Sequence, residues 1–211
     1  MTDPVLAHAL EQRETLLARL AAFVAHPSVG ADPACADGME AARRFLETRL
    51  SEAGFSNLQR LVAPDGSGQP AIYAEWLGAE GAPTLIVYGH YDVQPPDPLD
   101  LWHSPPFEAT IRDGRLYGRG VSDDKGPMLI ALEALIAFLE VEGRLPVNVR
   151  VFLEGEEETG SPSLAPILSA HRELLQADAV LAADGPRWRA APPPLTVGTR
   201  GPGGFPPPPR P

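Results

Sequence analysis

Four groups of residues are of types that bind cations or move protons: His90 with Asp92, Asp123 with Asp124, the run Glu156-Glu157-Glu158, and Asp184. Imidazole nitrogen and several carboxylate oxygens together suit zinc or a similar divalent ion. Each group alone has a plainer reading. His-x-Asp fits a buried histidine hydrogen-bonded to a neighbouring carboxylate. Asp123-Asp124 fits a helix N-cap with an acidic first turn, which the helix dipole favours. The acidic run fits a solvated loop, and Asp184, followed by Gly185-Pro186, fits a turn. Order and placement join them. Residues 84–89 (TLIVYG) lead into His90, residues 147–153 (VNVRVFL) into the acidic run, and residues 179–183 (AVLAA) into Asp184. All three stretches read as strands. Strands of a parallel sheet end on one edge, where α/β proteins place their sites. His8, His26, His103 and His171 have no such context and read as surface or structural.

The elements that must position these groups follow from the hydrophobic periods. Leu6, Leu10, Leu17, Leu20 and Val24 recur at helical steps and are expected on one buried face. Met39, Ala42, Phe45, Leu46 and Leu50 do the same, and Gly54 follows as a stop signal. Residues 71–76 form a short β-like run. The nearly continuous apolar run at 84–89 suits a strand buried on both faces. Residues 108–112 and 115–117 flank Asp113-Gly114, a strong hairpin signal. A Gly-bracketed turn (118–126, GRGVSDDKG) leads into a helix at 127–141, and a second helical stretch at 163–175 precedes the last strand. Strands alternating with helices predict an α/β layer with a largely parallel sheet.

The chain has 211 residues, enough for one domain with a sizeable core. Its net charge of −11, from 28 acidic and 17 basic residues, makes nucleic acid and anionic membrane poor partners. A single cysteine, Cys35, excludes an internal disulfide and suggests a reducing compartment. The first residues show no leader pattern, so the expected location is cytoplasmic. Residues 186–211 hold 10 of the 25 prolines and read as a Pro-rich tail, with 195–197 as a possible short strand.

Together GHYDVQPP (89–96), LYGRGVSDDKGP (116–127), EGEEETGS (154–161) and Asp184 resemble the aminoacylase–carnosinase–carboxypeptidase G family of co-catalytic zinc metallopeptidases. The first two motifs lean towards the dipeptidase and carnosinase branch. The resemblance implies a three-layer α/β catalytic domain with a largely parallel central sheet, acting on amide bonds of dipeptides or N-acyl amino acids. It implies two Zn2+ per complete site, with Mn2+ or Co2+ as alternatives. His90 and Asp184 would bind the first metal, Asp123 would bridge both, and Glu158 would bind the second. Asp92 would accept a hydrogen bond from His90, and Glu157 would be the general base. The ions would lie about 3.5–4 Å apart. The Asp123–Asp124 peptide bond is expected to be cis. Acetylornithine deacetylases and succinyl-diaminopimelate desuccinylases share this skeleton, and zinc aminopeptidases have a related ligand order.

The chain also departs from the family pattern. A last histidine, far downstream, completes the second metal site in the family, and none follows His171 here. The expectation is therefore a partial catalytic domain over residues 1–185, C-terminally truncated, with 186–211 where a lid and dimerisation domain would begin. A full-length form is expected to be a homodimer. A catalytically dead metal-binding fragment is the competing reading.

Overall fold

The structure, a computed structural model, describes residues 3–185. The tail at 186–211 and the short strand expected at 195–197 lie outside the described residues. The elements are α1 (Pro4–Glu11), α2 (Arg13–Val24), α3 (Ala36–Glu52), β1 (Ser56–Leu61), β2 (Ala71–Trp76), β3 (Thr84–His90), β4 (Thr110–Arg112), β5 (Arg115–Tyr117), α4 (Lys125–Glu142), β6 (Asn148–Glu154), α5 (Leu164–Ala170) and β7 (Ala179–Ala182).

Five strands form one sheet in the order β1-β2-β6-β3-β7. β3 runs parallel to both β6 and β7, β2 is antiparallel to β6, and β1 is antiparallel to β2. Four of the five strands therefore share one direction, and the sheet is largely parallel as expected. Alternation along the strands builds two cores. Ile72, Ala74, Val87, Val149, Val151 and Leu153 pack with Met39, Ala42, Leu46 and Leu50 of α3 and Met128 and Leu132 of α4. On the other face Ala71, Tyr73, Ile86 and Phe152 pack with Ile167 of α5. Helix, sheet and helix thus make three layers.

The α3 stripe is buried where its period predicts, with Met39, Ala42, Leu46 and Leu50 almost inaccessible. α3 gives way to Gly54 at φ +84°. The hairpin also forms as read: Asp113 and Gly114 take φ of 50° and 71°, the pair of positive values a two-residue type I′ turn requires. The N-terminal helix differs from expectation. It breaks at Gln12 into α1 and α2, with Asp3 capping the first by accepting from the N–H groups of Val5 and Leu6. Leu20 and Val24 are buried, whereas Leu6 and Leu10 are 53% and 61% exposed. Helical period places apolar residues on one face, but nothing in the local sequence supplies a neighbour to cover that face. Glu133, which interrupts the apolar run of α4, is buried and held by Arg19 at 2.6 Å and Arg49 at 2.8 Å. Among the described residues no helix is long and apolar enough to cross a membrane.

Candidate metal centre

Register brings three of the groups to one place. His90 pairs with Glu154 across the parallel β3–β6 ladder, so both strands end level. On the other side Tyr88 pairs with Ala182, and the Ala183 N–H donates to the Tyr88 carbonyl at 2.9 Å. Asp184 thus leaves β7 beside His90. The turn before α4 delivers Asp123 to the same edge. α4 can approach because Gly89 has no side chain: a Cβ there would lie 2.7 Å from Asp124 Oδ2 and 3.0 Å from Met128.

His90 Nε2 lies 3.1 Å from Asp123 Oδ1 and 3.9 Å from both Asp184 Oδ2 and Glu157 Oε2. One ligand atom each from His90, Asp123 and Asp184 falls within 4.8 Å of the others. The imidazole is fully buried, whereas the Asp123 side chain is 59% exposed, so the cluster opens to solvent on the carboxylate side. The other ring nitrogen, Nδ1, faces Asp92, at 3.1 Å from its carbonyl oxygen and 3.3 Å from Oδ1. A proton on Nδ1 satisfies these acceptors and leaves the Nε2 lone pair facing the cluster, the tautomer a metal ligand needs. The Asp92 carboxylate also accepts the backbone N–H groups of Glu157 at 3.3 Å and Glu158 at 3.1 Å.

The residues of the acidic run separate. Glu157 faces His90, while Glu158 Oε2 accepts from Gln94 Nε2 at 2.9 Å. Glu158 is outside the His90–Asp123–Asp184 group. The two glutamates diverge because residues 157–159 form a 3-10 turn. Asp124 holds the N-cap position of α4 but makes no capping hydrogen bond. Its Oδ2 accepts the His90 N–H at 3.2 Å, and its buried Oδ1 has no partner among the described residues. The Asp123–Asp124 bond is cis, as expected.

Electrostatics show what this arrangement suits. Burial raises the Asp184 carboxyl, and the Asp123 charge adds to the rise. Burial also raises Glu157, with Glu158, Asp184 and Asp123 pushing the same way. Asp124 is pushed up to about 7, first by burial and then by Asp184 and Asp123. Burial pulls His90 down, but the Asp92 hydrogen bond and the charges of Asp92, Asp124 and Glu157 outweigh it and hold the imidazole at about 10. Carboxylates that repel one another around a single imidazole, one of them with a buried oxygen that has no partner among the described residues, fit a divalent cation in their midst.

Sequence reasoning did not see the supports of this edge. Tyr91 is fully buried, donates to the Pro70 carbonyl at 2.6 Å and accepts from Arg43 Nη1 at 3.1 Å. Gly155 makes room for its ring, since a Cβ there would sit 2.3 Å from the phenol. Lys125, also fully buried, donates to the carbonyls of Phe23 at 3.1 Å and His26 at 2.6 Å and so ties the end of α2 to the start of α4. A lysine beside two aspartates reads from sequence as part of the charged turn, and only tertiary contact shows it turned inward.

The profile of "Peptidase family M20/M25/M40" matches residues 86–196, just over half of the chain. The chain belongs to this family. Family membership agrees with the motifs above and implies a metal cofactor. Among curated relatives, cysteinylglycine-S-conjugate dipeptidase of Corynebacterium striatum is 33% identical over 190 residues, covering 90% of this chain and 41% of the relative. Human beta-Ala-His dipeptidase is 36% identical, covering 78% of this chain and 36% of the relative. The solved structure of human carnosine dipeptidase 1 superposes with a TM-score of 0.80 at 28% identity, over 88% of this chain and 41% of that one. The chain therefore spans about two-fifths of the length of the family members it matches.

Proposed function

We propose that this chain supplies the metal-binding and proton-transferring part of a hydrolase that cleaves amide bonds in dipeptides or N-acyl amino acids. The observation that carries the reading is the convergence of His90, Asp123 and Asp184, from three separate segments, on one sheet edge. In this reading His90 and Asp184 hold one ion, Asp123 bridges to a second, and Glu158 is the second ion's ligand. The ions are zinc, with manganese or cobalt as substitutes, and when bound they polarise the scissile carbonyl and make water easier to deprotonate.

The chain's own residues do the rest. Asp92 fixes the imidazole through Nδ1, so that Nε2 faces the ion. Glu157 is the general base. Its carboxylate stands 3.9 Å from His90 Nε2, and its raised proton affinity suits a group that accepts a proton from the attacking water and returns it to the leaving nitrogen. The names of the relatives favour dipeptides over the N-acylated substrates of deacetylases and desuccinylases. A cytoplasmic location, read from the sequence, and a dimeric full-length form, implied by the family resemblance, belong to the same proposal.

A second reading concerns the chain as given. No histidine follows His171, which leaves the second ion with Asp123 and Glu158 as its only proposed ligands. A hydrolytic zinc commonly has three protein ligands and one open position. The 211-residue polypeptide by itself is therefore expected to bind one ion well, to take up a second only weakly, and to turn over poorly. The experiment is hydrolysis of Cys-Gly, β-Ala-His and N-acetyl amino acids with added Zn2+, Mn2+ or Co2+. Turnover of roughly 1–1000 per second by the isolated chain would show that these residues suffice. Turnover restored only by adding the remaining part of a relative would support the division proposed here.

A further inference from the structure

Beyond its last strand residue, β3 continues as an extended segment with two alternating faces. Tyr91 and Val93 turn inward and are fully buried. Ser28 Oγ donates to the Tyr91 carbonyl at 2.6 Å, the Val93 N–H donates to the Ser28 carbonyl at 2.9 Å, and Val29 bridges Val93 in parallel. The opposite face presents His90, Asp92 and Gln94 in turn, as the two-residue period of an extended chain requires. His90 enters the metal group, and Asp92 grips the 157–159 turn by its backbone. Gln94 reaches the same turn from further out. Its Nε2 donates to the Glu158 carbonyl at 3.0 Å and to the Glu158 carboxylate, Oε2, at 2.9 Å.

We propose that Gln94 is a positioning residue for the second ion: its amide holds the Glu158 carboxylate, and so sets how well that carboxylate can take a cation. This rests on the reading of Glu158 as a ligand. The chemistry of an amide suits the task. A neutral donor orients the carboxylate by one oxygen, leaves the other free and keeps the full negative charge. A lysine at the same place would neutralise Glu158 and repel the ion, and a glutamate would repel Glu158 itself. The contact also keeps the adjacent glutamates apart, with Glu158 on Gln94 and Glu157 facing His90.

The test is a double-mutant cycle on the 211-residue chain, with Gln94→Ala and Glu158→Ala made singly and together. Urea unfolding in the presence of chelator measures their coupling without metal. Mn2+ titration into the millimolar range, followed calorimetrically, measures each equivalent of ion. Gln94→Ala is expected to weaken the second equivalent about 10-fold or more and to leave the first within about two-fold, as loss of a ligand-orienting partner does. Its effect on the second equivalent should vanish once Glu158 is alanine. A purely structural role would move the urea midpoint and neither equivalent, which would overturn the inference. So would a loss that persists in the Glu158→Ala background. If Glu158→Ala weakens the second equivalent and Gln94→Ala does not, the inference fails while the ligand reading of Glu158 stands. If Glu158→Ala binds both equivalents like the parent chain, or the parent takes up a single ion at millimolar metal, both fail.

Discussion

The carboxylate of Asp92 accepts the backbone N–H of Glu158 at 3.1 Å, across 66 residues of sequence. The same buried group accepts from Glu157 and lies 3.3 Å from His90 Nδ1. One carboxylate thus orients both the imidazole and the turn that carries the proposed base. Asp92→Asn keeps the shape but replaces one of the two oxygens that now accept backbone N–H groups with an NH2 group. We expect it to lower metal affinity about 10–100-fold, the usual cost of losing the partner of a histidine ligand. Calorimetric titration of a variant with unchanged far-UV circular dichroism checks this, and unaltered affinity would remove Asp92 from the centre.

The separation of the acidic pair predicts opposite phenotypes. In a full-length context Glu157→Gln should bind metal normally and lose roughly 10²–10⁴ of its turnover, since an amide cannot accept the proton. Glu158→Gln should instead raise the metal concentration needed for activity. Metal content and rate, measured side by side, distinguish the two. Unchanged turnover in Glu157→Gln would assign the base elsewhere.

Much of this arrangement is legible in the sequence because strand ends are. The apolar runs before His90, Glu154 and Asp184 reveal the strands, and parallel register then brings their ends level. The α3 stripe and the Asp113-Gly114 turn are likewise local signals with one physical outcome. Other features depend on contacts that no local pattern encodes. β1 (SNLQRL) has mostly exposed residues and no clear alternation, so it does not stand out as a strand. The break at Gln12 and the exposure of Leu6 and Leu10 depend on what covers α1, which periodicity does not specify. The turn of Glu158 towards Gln94, the inward Lys125 and the Arg43–Tyr91–Pro70 chain all join residues far apart in sequence.

Acid should weaken one surface network in a defined window. Hydrogen bonds from Arg60, then Arg44, outweigh the effect of partial burial and hold Glu40 down to about 2. A carboxylate depressed in the folded state stabilises fully above its ordinary value of about 4.3 and loses that contribution as pH falls through the folded value. The network is solvent-accessible, so its contribution is on the order of 1 kcal/mol or less. Urea midpoints of the parent chain and Glu40→Gln should therefore converge between about pH 4 and pH 2. A difference that stays constant across that interval would contradict the assignment.

Gly155 is expected to tolerate no side chain. A Cβ would lie 2.3 Å from the Tyr91 phenol, which is itself held by Arg43 and Pro70. Gly155→Ala should cost roughly 1–3 kcal/mol, as overpacking does, and displace the turn bearing Glu157. Urea unfolding and metal titration should both register the change, and a variant as stable as the parent would show that the turn can yield.

The central claim is that His90, Asp123 and Asp184 form one cation site. Anomalous diffraction from crystals of the chain soaked in Zn2+ or Mn2+ tests it most directly. The account predicts a peak about 2.0–2.2 Å from His90 Nε2 and from carboxylate oxygens of Asp123 and Asp184, lost in His90→Ala crystals. A peak confined to another place, such as the exposed His8–Glu140 pair, or an ordered sheet edge with no peak at millimolar metal, would contradict it.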